Sequence, residues 1–432
     1  MKAVNRKLLC GTLAGAMLLS FAGCSASGRQ DSRVKIEDDP KAKAAFDYDE
    51  VRKIEYAEDD YSTAYQKYAF DIMAKAASFE DDDTNMMISP ASVMFAMDLC
   101  AAGANGDTLD QINGLFADSG DPLAQQAYAS DMIKKFGDAE NTEFTCVNAI
   151  WNNSNVLGNK ISSDYVDYVE DAFNAEINAA PFGDETADEI NAWVNDSTDG
   201  MVDSIVDDID PNTAAVLVNA IAFDSVWLEP YEDDQVKNSK FTLLSGETES
   251  AKFLCNVEWR YFESDKATGF MKNYEDGYAF IAILPKDDTI SANEFLAGFT
   301  GEDYIKFINS METFTYDVKT KLPVFEYDYE TEMSEILIDM GVEDAFIPGV
   351  ADFSGISSEN ALYISKVLHK THIELDQYGT TAAAVTEIEL SDGGCEDAPE
   401  YKEVYCDRPF AYVIVDTDTM NPIFIGTVNS VG

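Results

Sequence analysis

Two histidines are the only imidazoles in the chain, His369 and His372. No H-E-x-x-H, G-x-S-x-G, phosphate-binding P-loop or dinucleotide-binding motif accompanies them, so a histidine-rich metal site cannot be assembled. A serine hydrolase would have to recruit one of these two without a nucleophile elbow or an orienting acid. Paired carboxylates can run glycoside hydrolysis, but among 81 Asp and Glu residues any pair looks plausible and the pattern discriminates nothing. Seven cysteines occur, at 10, 24, 100, 146, 255, 395 and 406, with no C-x-x-C pair, which removes zinc-ribbon and thioredoxin-like chemistry. Cys100, Cys146 and Cys255 lie in apolar surroundings and read as small core residues. Cys395 and Cys406 fall in a loop-like stretch, where a disulfide and two free thiols both remain open. Turnover, a cofactor and a metal all lack support.

The stretch that stands out is Gly379-Thr380-Thr381-Ala382-Ala383-Ala384-Val385-Thr386, small and uncharged inside a very acidic chain. It continues as Glu387-Ile388-Glu389-Leu390, so the even positions form a buriable face and the odd ones a wettable face at strand periodicity. Gly379 before it and Ser391-Asp392-Gly393-Gly394 after it suit an exposed loop equally well.

The elements that would hold this stretch are legible around it. Tyr61, Ala64, Tyr65, Tyr68, Ala69, Ile72, Met73 and Ala76 recur at helical steps and predict a helix of about four turns with one apolar stripe. Pro90 followed by Ser92 to Ala102 predicts a second, more buried helix ending at Gly103 to Gly106. Val216–Phe223, Tyr278–Leu284 and Phe410–Val415 are branched and aromatic runs that predict buried strands, the last paired with Ile423–Val428 as a hairpin. Met333, Ile336, Leu337 and Met340 predict a further helix with Gly341 as its left-handed cap. No repeat or second linker interrupts residues 61–432, which read as one mixed α/β domain.

A chain of 432 residues with 46% hydrophobic content can bury a large core. Its 29 basic and 81 acidic residues give a net charge of -52, which repels phosphate backbones and makes nucleic acid an unsuitable partner. Lys2, Arg6 and Lys7 precede an apolar run from Leu8 to Phe21, a targeting segment over residues 1–23. Phe21-Ala22-Gly23-Cys24 resembles a bacterial lipoprotein cleavage site, with Cys24 as the lipid-bearing residue. Residues 24–60 are charged and lack apolar periodicity, so they are expected to form a flexible tether. A secreted protein, lipid-anchored to the bacterial cell surface, follows as the expected location.

Several further motifs occur in a fixed order: Asn85-Met86-Met87-Ile88-Ser89-Pro90-Ala91-Ser92-Val93 with Gly103 to Thr108, Val218-Asn219-Ala220-Ile221-Ala222-Phe223 with Trp227, and Lys321-Leu322-Pro323-Val324-Phe325. Ala351-Asp352-Phe353-Ser354-Gly355-Ile356-Ser357, His369-Lys370 and Asp407-Arg408-Pro409-Phe410 continue the series. Together they resemble the serpin family over nearly the whole chain. The resemblance implies an α+β fold of helices around three β-sheets with an exposed reactive-centre loop, here about 377–406. It also implies a monomeric suicide inhibitor that forms a covalent complex with its target protease. Residues Gly379 to Thr386 would be the loop's hinge, Ser89, Ser92, Asn219 and His369 a latch on sheet opening, and Trp227 the point of hinge entry.

After cleavage the hinge would slide into the main sheet as an extra strand and carry the acyl-enzyme with it. About fifteen residues at roughly 3.3 Å each span some 50 Å, enough to cross the domain. Thr381 stands where the family often has Glu, and Gln377-Tyr378 replaces a commonly acidic pair; neither places charge on the inward face. The scissile-bond candidates are Leu390, Gly393, Gly394, Cys395 and Ala398. No Lys or Arg lies between Gly379 and Tyr401, so the expected target is an elastase-like or chymotrypsin-like serine protease, with a papain-like cysteine protease second. A serpin that folds alike but serves as a binding protein is the alternative.

Overall fold

The computed structural model describes residues 32–137, 142–198, 200–358, 362–380 and 400–432. The hinge from Thr381 to Thr386, the candidates Leu390, Gly393, Gly394, Cys395 and Ala398, and the lipidation candidate Cys24 lie outside them.

Burial on both faces explains the apolar runs read as strands. Among the described residues the main sheet has six strands: β3 (Glu143–Asn153), β5 (Ala175–Ala180), β6 (Ala215–Val226), β12 (Phe325–Glu332), β13 (Lys366–Leu375) and the two-residue β14 (Gly379–Thr380). They run across the sheet in the order β12, β13, β14, β6, β3, β5. Val216, Val218 and Ala220 of β6 pack under the helix Asp184–Ser197, against Ile190 and Val194, while Leu217, Ile221 and Phe223 face the principal core. β12 and β13 instead alternate, with one row of side chains in the core and one outward.

A second sheet, of nine strands among the described residues, contains β2 (Met87–Ile88), β7 (Val236–Thr242), β8 (Thr248–Glu263), β9 (Ala267–Asn273) and β10 (Tyr278–Pro285). It is completed by β11 (Glu312–Pro323), β15 (Tyr401–Tyr405), β16 (Phe410–Asp416) and β17 (Pro422–Val428). β16 and β17 form the expected antiparallel hairpin. A small third sheet pairs β1 (Glu37–Asp38) with β4 (Lys160–Ile161).

Three helices matter for the site and its support: α1 (Tyr48–Val51), α2 (Glu58–Ala77) and α3 (Pro90–Gly103). α2 buries the predicted stripe, from Tyr61 to Ala76. α3 starts where Ser89 accepts the Ser92 amide and Pro90 takes the first turn, and every one of its residues is buried. The helix Ser334–Asp339 ends before Gly341, whose φ of +103° is open to glycine.

The tether expected over 24–60 does not extend to its C-terminal part, because residues from Ser32 onward belong to the folded body. Tyr48 stacks on Tyr168 at 4.2 Å between ring centroids, and its hydroxyl donates to the Ala102 carbonyl at 2.8 Å. Asp39, 4% exposed, accepts the Ser358 amide at 2.7 Å. These contacts order a segment without periodicity of its own, so the fold begins near residue 32 rather than 61. Among the described residues Cys406 is a free, buried thiol, and Cys395, the other half of the pairing left open, lies outside them; Cys100 and Cys146 are buried, and Cys255 is half-buried on β8. Among the described residues no helix is long and apolar enough to cross a membrane.

Candidate functional site at the parting of the main sheet

β13 and β6 are parallel neighbours at one end of the main sheet and two strand spacings apart at the other. Among the described residues they pair directly from Lys366 opposite Val216 to Lys370 opposite Ala220. At the far end β14 stands between them, with Thr380 opposite both Leu375 and Ser225 and Gly379 opposite Val226. Neighbouring strands are about 4.8 Å apart, so the gap opens from one such spacing to two within half a strand. Gly379 is required there: a Cβ on it would meet the Ser225 carbonyl oxygen at 2.2 Å and the Val226 Cα at 2.8 Å.

The residues expected to latch the sheet meet at the fork. His369 is opposite Asn219, one pair before direct pairing ends, and Asn148 on β3 is opposite Asn219 on its other side. The Ser89 amide donates to His369 Nε2 at 3.1 Å, so the ring hydrogen is on Nδ1 and points to Asn219 Oδ1 at 3.0 Å. Ser92 donates its hydroxyl to the same Oδ1. The Asn219 amide in turn donates to Asn148 Oδ1 at 2.7 Å and to the Ser92 carbonyl at 3.0 Å. All of these groups are at most 1% exposed, so each bond lost inside the body leaves a desolvated polar atom. Both ring nitrogens of His369 are thereby engaged, Nε2 by the Ser89 amide and Nδ1 by Asn219.

Burial drives the His369 pKa down to about 4 from an ordinary 6.5. The neutral ring is therefore favoured in the closed sheet, and that contribution is fully present above pH 6.5 and lost as pH falls from 6.5 through 4. Protonating Nε2 would also aim an N–H at the Ser89 amide. Asp98 of α3, pushed by burial up to about 8, is already neutral in that window. Conversion of the native chain to inactive forms is expected to accelerate between pH 6.5 and 4, and to do so much less in His369→Asn; equal acceleration in the two proteins removes the histidine from this role.

The entry end is built around Trp227. Its backbone amide donates to the Tyr378 carbonyl at 2.8 Å and its indole Nε1 to the Asp376 carbonyl at 2.9 Å. The Tyr231 amide donates to the Gln377 carbonyl at 2.9 Å. Asp376 Oδ1 accepts the amides of Tyr378 at 2.7 Å and Gly379 at 3.2 Å, which turns the chain from β13 into β14. Thr380 is 1% exposed, and its hydroxyl meets the Tyr274 hydroxyl at 2.6 Å. Tyr274 stacks on Trp227 at 4.1 Å. Below them the Lys272 ammonium lies 4.3 Å from the Tyr231 ring and 3.3 Å from Glu258, an ion pair only 3% and 4% exposed.

The structure thus brings Ser89, Ser92, Asn219 and His369 to one point, and Gly379, Thr380 and Trp227 to another on the same gap. Asn148, Tyr274, Asp376 and the Lys272–Glu258 pair complete the two clusters and were not singled out from the sequence. Of these, the D-x-x-G spacing of Asp376 and Gly379 is a turn signal that could have been read; the others are joined only by cross-strand register. The arrangement holds β13 and β6 together at one end of the main sheet and two strand spacings apart at the other.

A family model described as serpin (serine protease inhibitor) matches residues 63–431. A serpin-like protein of Methanosarcina acetivorans is 31% identical over 382 residues, 86% of each chain. The crystal structure of tengpin, a thermophilic serpin, in its native state aligns at a TM-score of 0.79 and 36% identity, covering 90% of this chain and all of that one. The latent state of the same protein aligns at 0.73 and 34% identity, covering 88% of this chain and all of that one.

Proposed function

The chain belongs to the serpin family, and we propose that it is an inhibitory member acting as a suicide substrate. A target protease cuts between Gly379 and Tyr401, the freed hinge enters the gap between β13 and β6, and the acyl-enzyme is carried along before it can hydrolyse. What supports this reading is the parted sheet with Gly379 and Thr380 seated at its open end, in register with both flanking strands. The absence of Lys and Arg from that interval favours an elastase-like or chymotrypsin-like target over a trypsin-like one, with a papain-like cysteine protease as the next choice. The N-terminal segment favours export and lipid anchoring through Cys24.

Incubation with pancreatic elastase and with chymotrypsin is expected to give a covalent complex that survives boiling in detergent. Mass spectrometry of the released peptide is expected to place the cut after Leu390, Gly393, Gly394, Cys395 or Ala398. Clean cleavage without a complex would indicate a non-inhibitory serpin, and a cut after Lys402 would overturn the predicted specificity.

A further inference from the structure

His372 takes no part in the latch or the entry cluster. It projects from the outward row of β13, where the antiparallel register sets it opposite Asp328 and sets Glu374 opposite Glu326 on β12. Two glutamates directly opposed across a pair of strands repel each other. Among the described residues neither carboxylate makes a hydrogen bond or an ion pair, and the nearby Lys370 is engaged with Glu330 at 3.7 Å. In the same place a ring nitrogen of His372 and one carboxylate oxygen from each of Glu326 and Glu374 all lie within 4.8 Å of one another. Asp328 Oδ1 holds His372 Nδ1 at 2.9 Å, which fixes the ring and leaves Nε2 as the nitrogen with an available lone pair.

We propose that Glu326, His372 and Glu374 form a binding site for a zinc-class divalent cation that staples β12 to β13, with Asp328 as the positioning carboxylate behind the imidazole. The donor set of one nitrogen and two oxygens matches a borderline ion such as Zn2+, whereas Ca2+ and Mg2+ gain nothing from imidazole. Ligands at roughly 2.1 Å from a tetrahedral ion stand about 3.4 Å apart, so rotamer changes of the two exposed or half-buried glutamates close the triad on strands already in place. Solvent completes the shell at this open face. The site stands on the edge of β13 away from the gap, so the ion would bind the closed and the strand-inserted sheet alike. It is therefore expected to resist unfolding without changing inhibition.

Titration of the full chain with Co2+ as a spectroscopic substitute is expected to show one saturable site with a visible absorption band. His372→Ala and His372→Gln are expected to abolish the band. Glu374→Gln, Glu326→Gln and Asp328→Asn are each expected to weaken binding about tenfold or more, and Glu330→Gln to leave it unchanged. Zn2+ is expected to raise the unfolding midpoint of intact and loop-nicked protein equally. Binding that persists in both His372 variants would assign the ions to the acidic surface or to Cys255 and overturn the proposal, as would displacement of Co2+ by equimolar Ca2+.

Discussion

Thr380→Arg is expected to convert the chain from an inhibitor into a substrate. Thr380 is buried against Tyr274, which stacks on Trp227, and the Lys272 ammonium lies 5.7 Å from that indole ring. An arginine there would stand beside the buried Lys272 ammonium, whose partner Glu258 is already engaged, while the Asp376 carboxylate is held by the Tyr378 and Gly379 amides, so residue 380 is expected to lie outside the sheet in the intact variant and to have to enter it on insertion. Burying such a charge unpaired costs several kcal/mol, on the order of 3 or more. A barrier raised by about 3 kcal/mol slows entry more than about a hundredfold, so hydrolysis of the acyl-enzyme overtakes insertion. The measurement is the number of inhibitor molecules consumed per protease inactivated, expected to rise at least about tenfold while the rate of first cleavage stays unchanged. Thr380→Ser keeps the hydroxyl and is expected to behave like the parent. An arginine variant that still titrates one to one would exclude this route of entry.

The second large effect is expected at Asn219. Its amide touches Ser92, His369 and Asn148 together, and Asn219→Ala leaves the Ser92 hydroxyl, the His369 ring N–H and Asn148 Oδ1 without those partners in the interior. At about 1 to 3 kcal/mol for each stranded group, less whatever repacking recovers, the closed sheet loses about 3 to 5 kcal/mol. Parting β6 from β13 breaks the Asn219–His369 bond, so that share of the loss falls on the closed state alone. Asn219→Ala is expected to shorten the life of the active form about tenfold or more at fixed temperature, with self-inserted monomer and polymers as products on native gels, and to lower the unfolding midpoint by about 5 °C. His369→Ala is expected to act in the same direction and less strongly, because the Ser92 to Asn219 bond survives. An unchanged lifetime in both variants would show that the fork does not limit opening.

These two clusters were unequally legible in the sequence. The strands and helices that carry them follow from local patterns: the stripe from Tyr61 to Ala76, the Ser89-Pro90 start of a wholly buried helix, the double-sided burial of Val216 to Phe223. Positions quoted for the family resemblance, Ser92, Asn219 and His369, were found with it. What stayed hidden depends on register between strands far apart in the chain. Asn148 reaches Asn219 across β3 and β6, and Tyr274 reaches Thr380 across 106 positions of the chain. Nothing local to either residue announces the partner. The same applies to residues 32–60, where Tyr48 and Asp39 are ordered by Tyr168, Ala102 and Ser358 rather than by any periodicity of their own. His372 shows the converse: a histidine that sequence reasoning set aside for lack of neighbours in the chain acquires two carboxylates and an orienting acid from the antiparallel pairing of β12 with β13.

Whether the segment after Gly379 gains stability by joining the sheet is measured most directly by heating. The chain nicked once within its loop, with both fragments retained, is expected to unfold at a midpoint far above that of the intact chain, by about 20 °C or more, because a full central strand adds ladder bonds and buried apolar area on both sides. Thr380→Arg is expected to lose most of that increase. A nicked protein that melts at or below the temperature of the intact one would contradict the insertion mechanism.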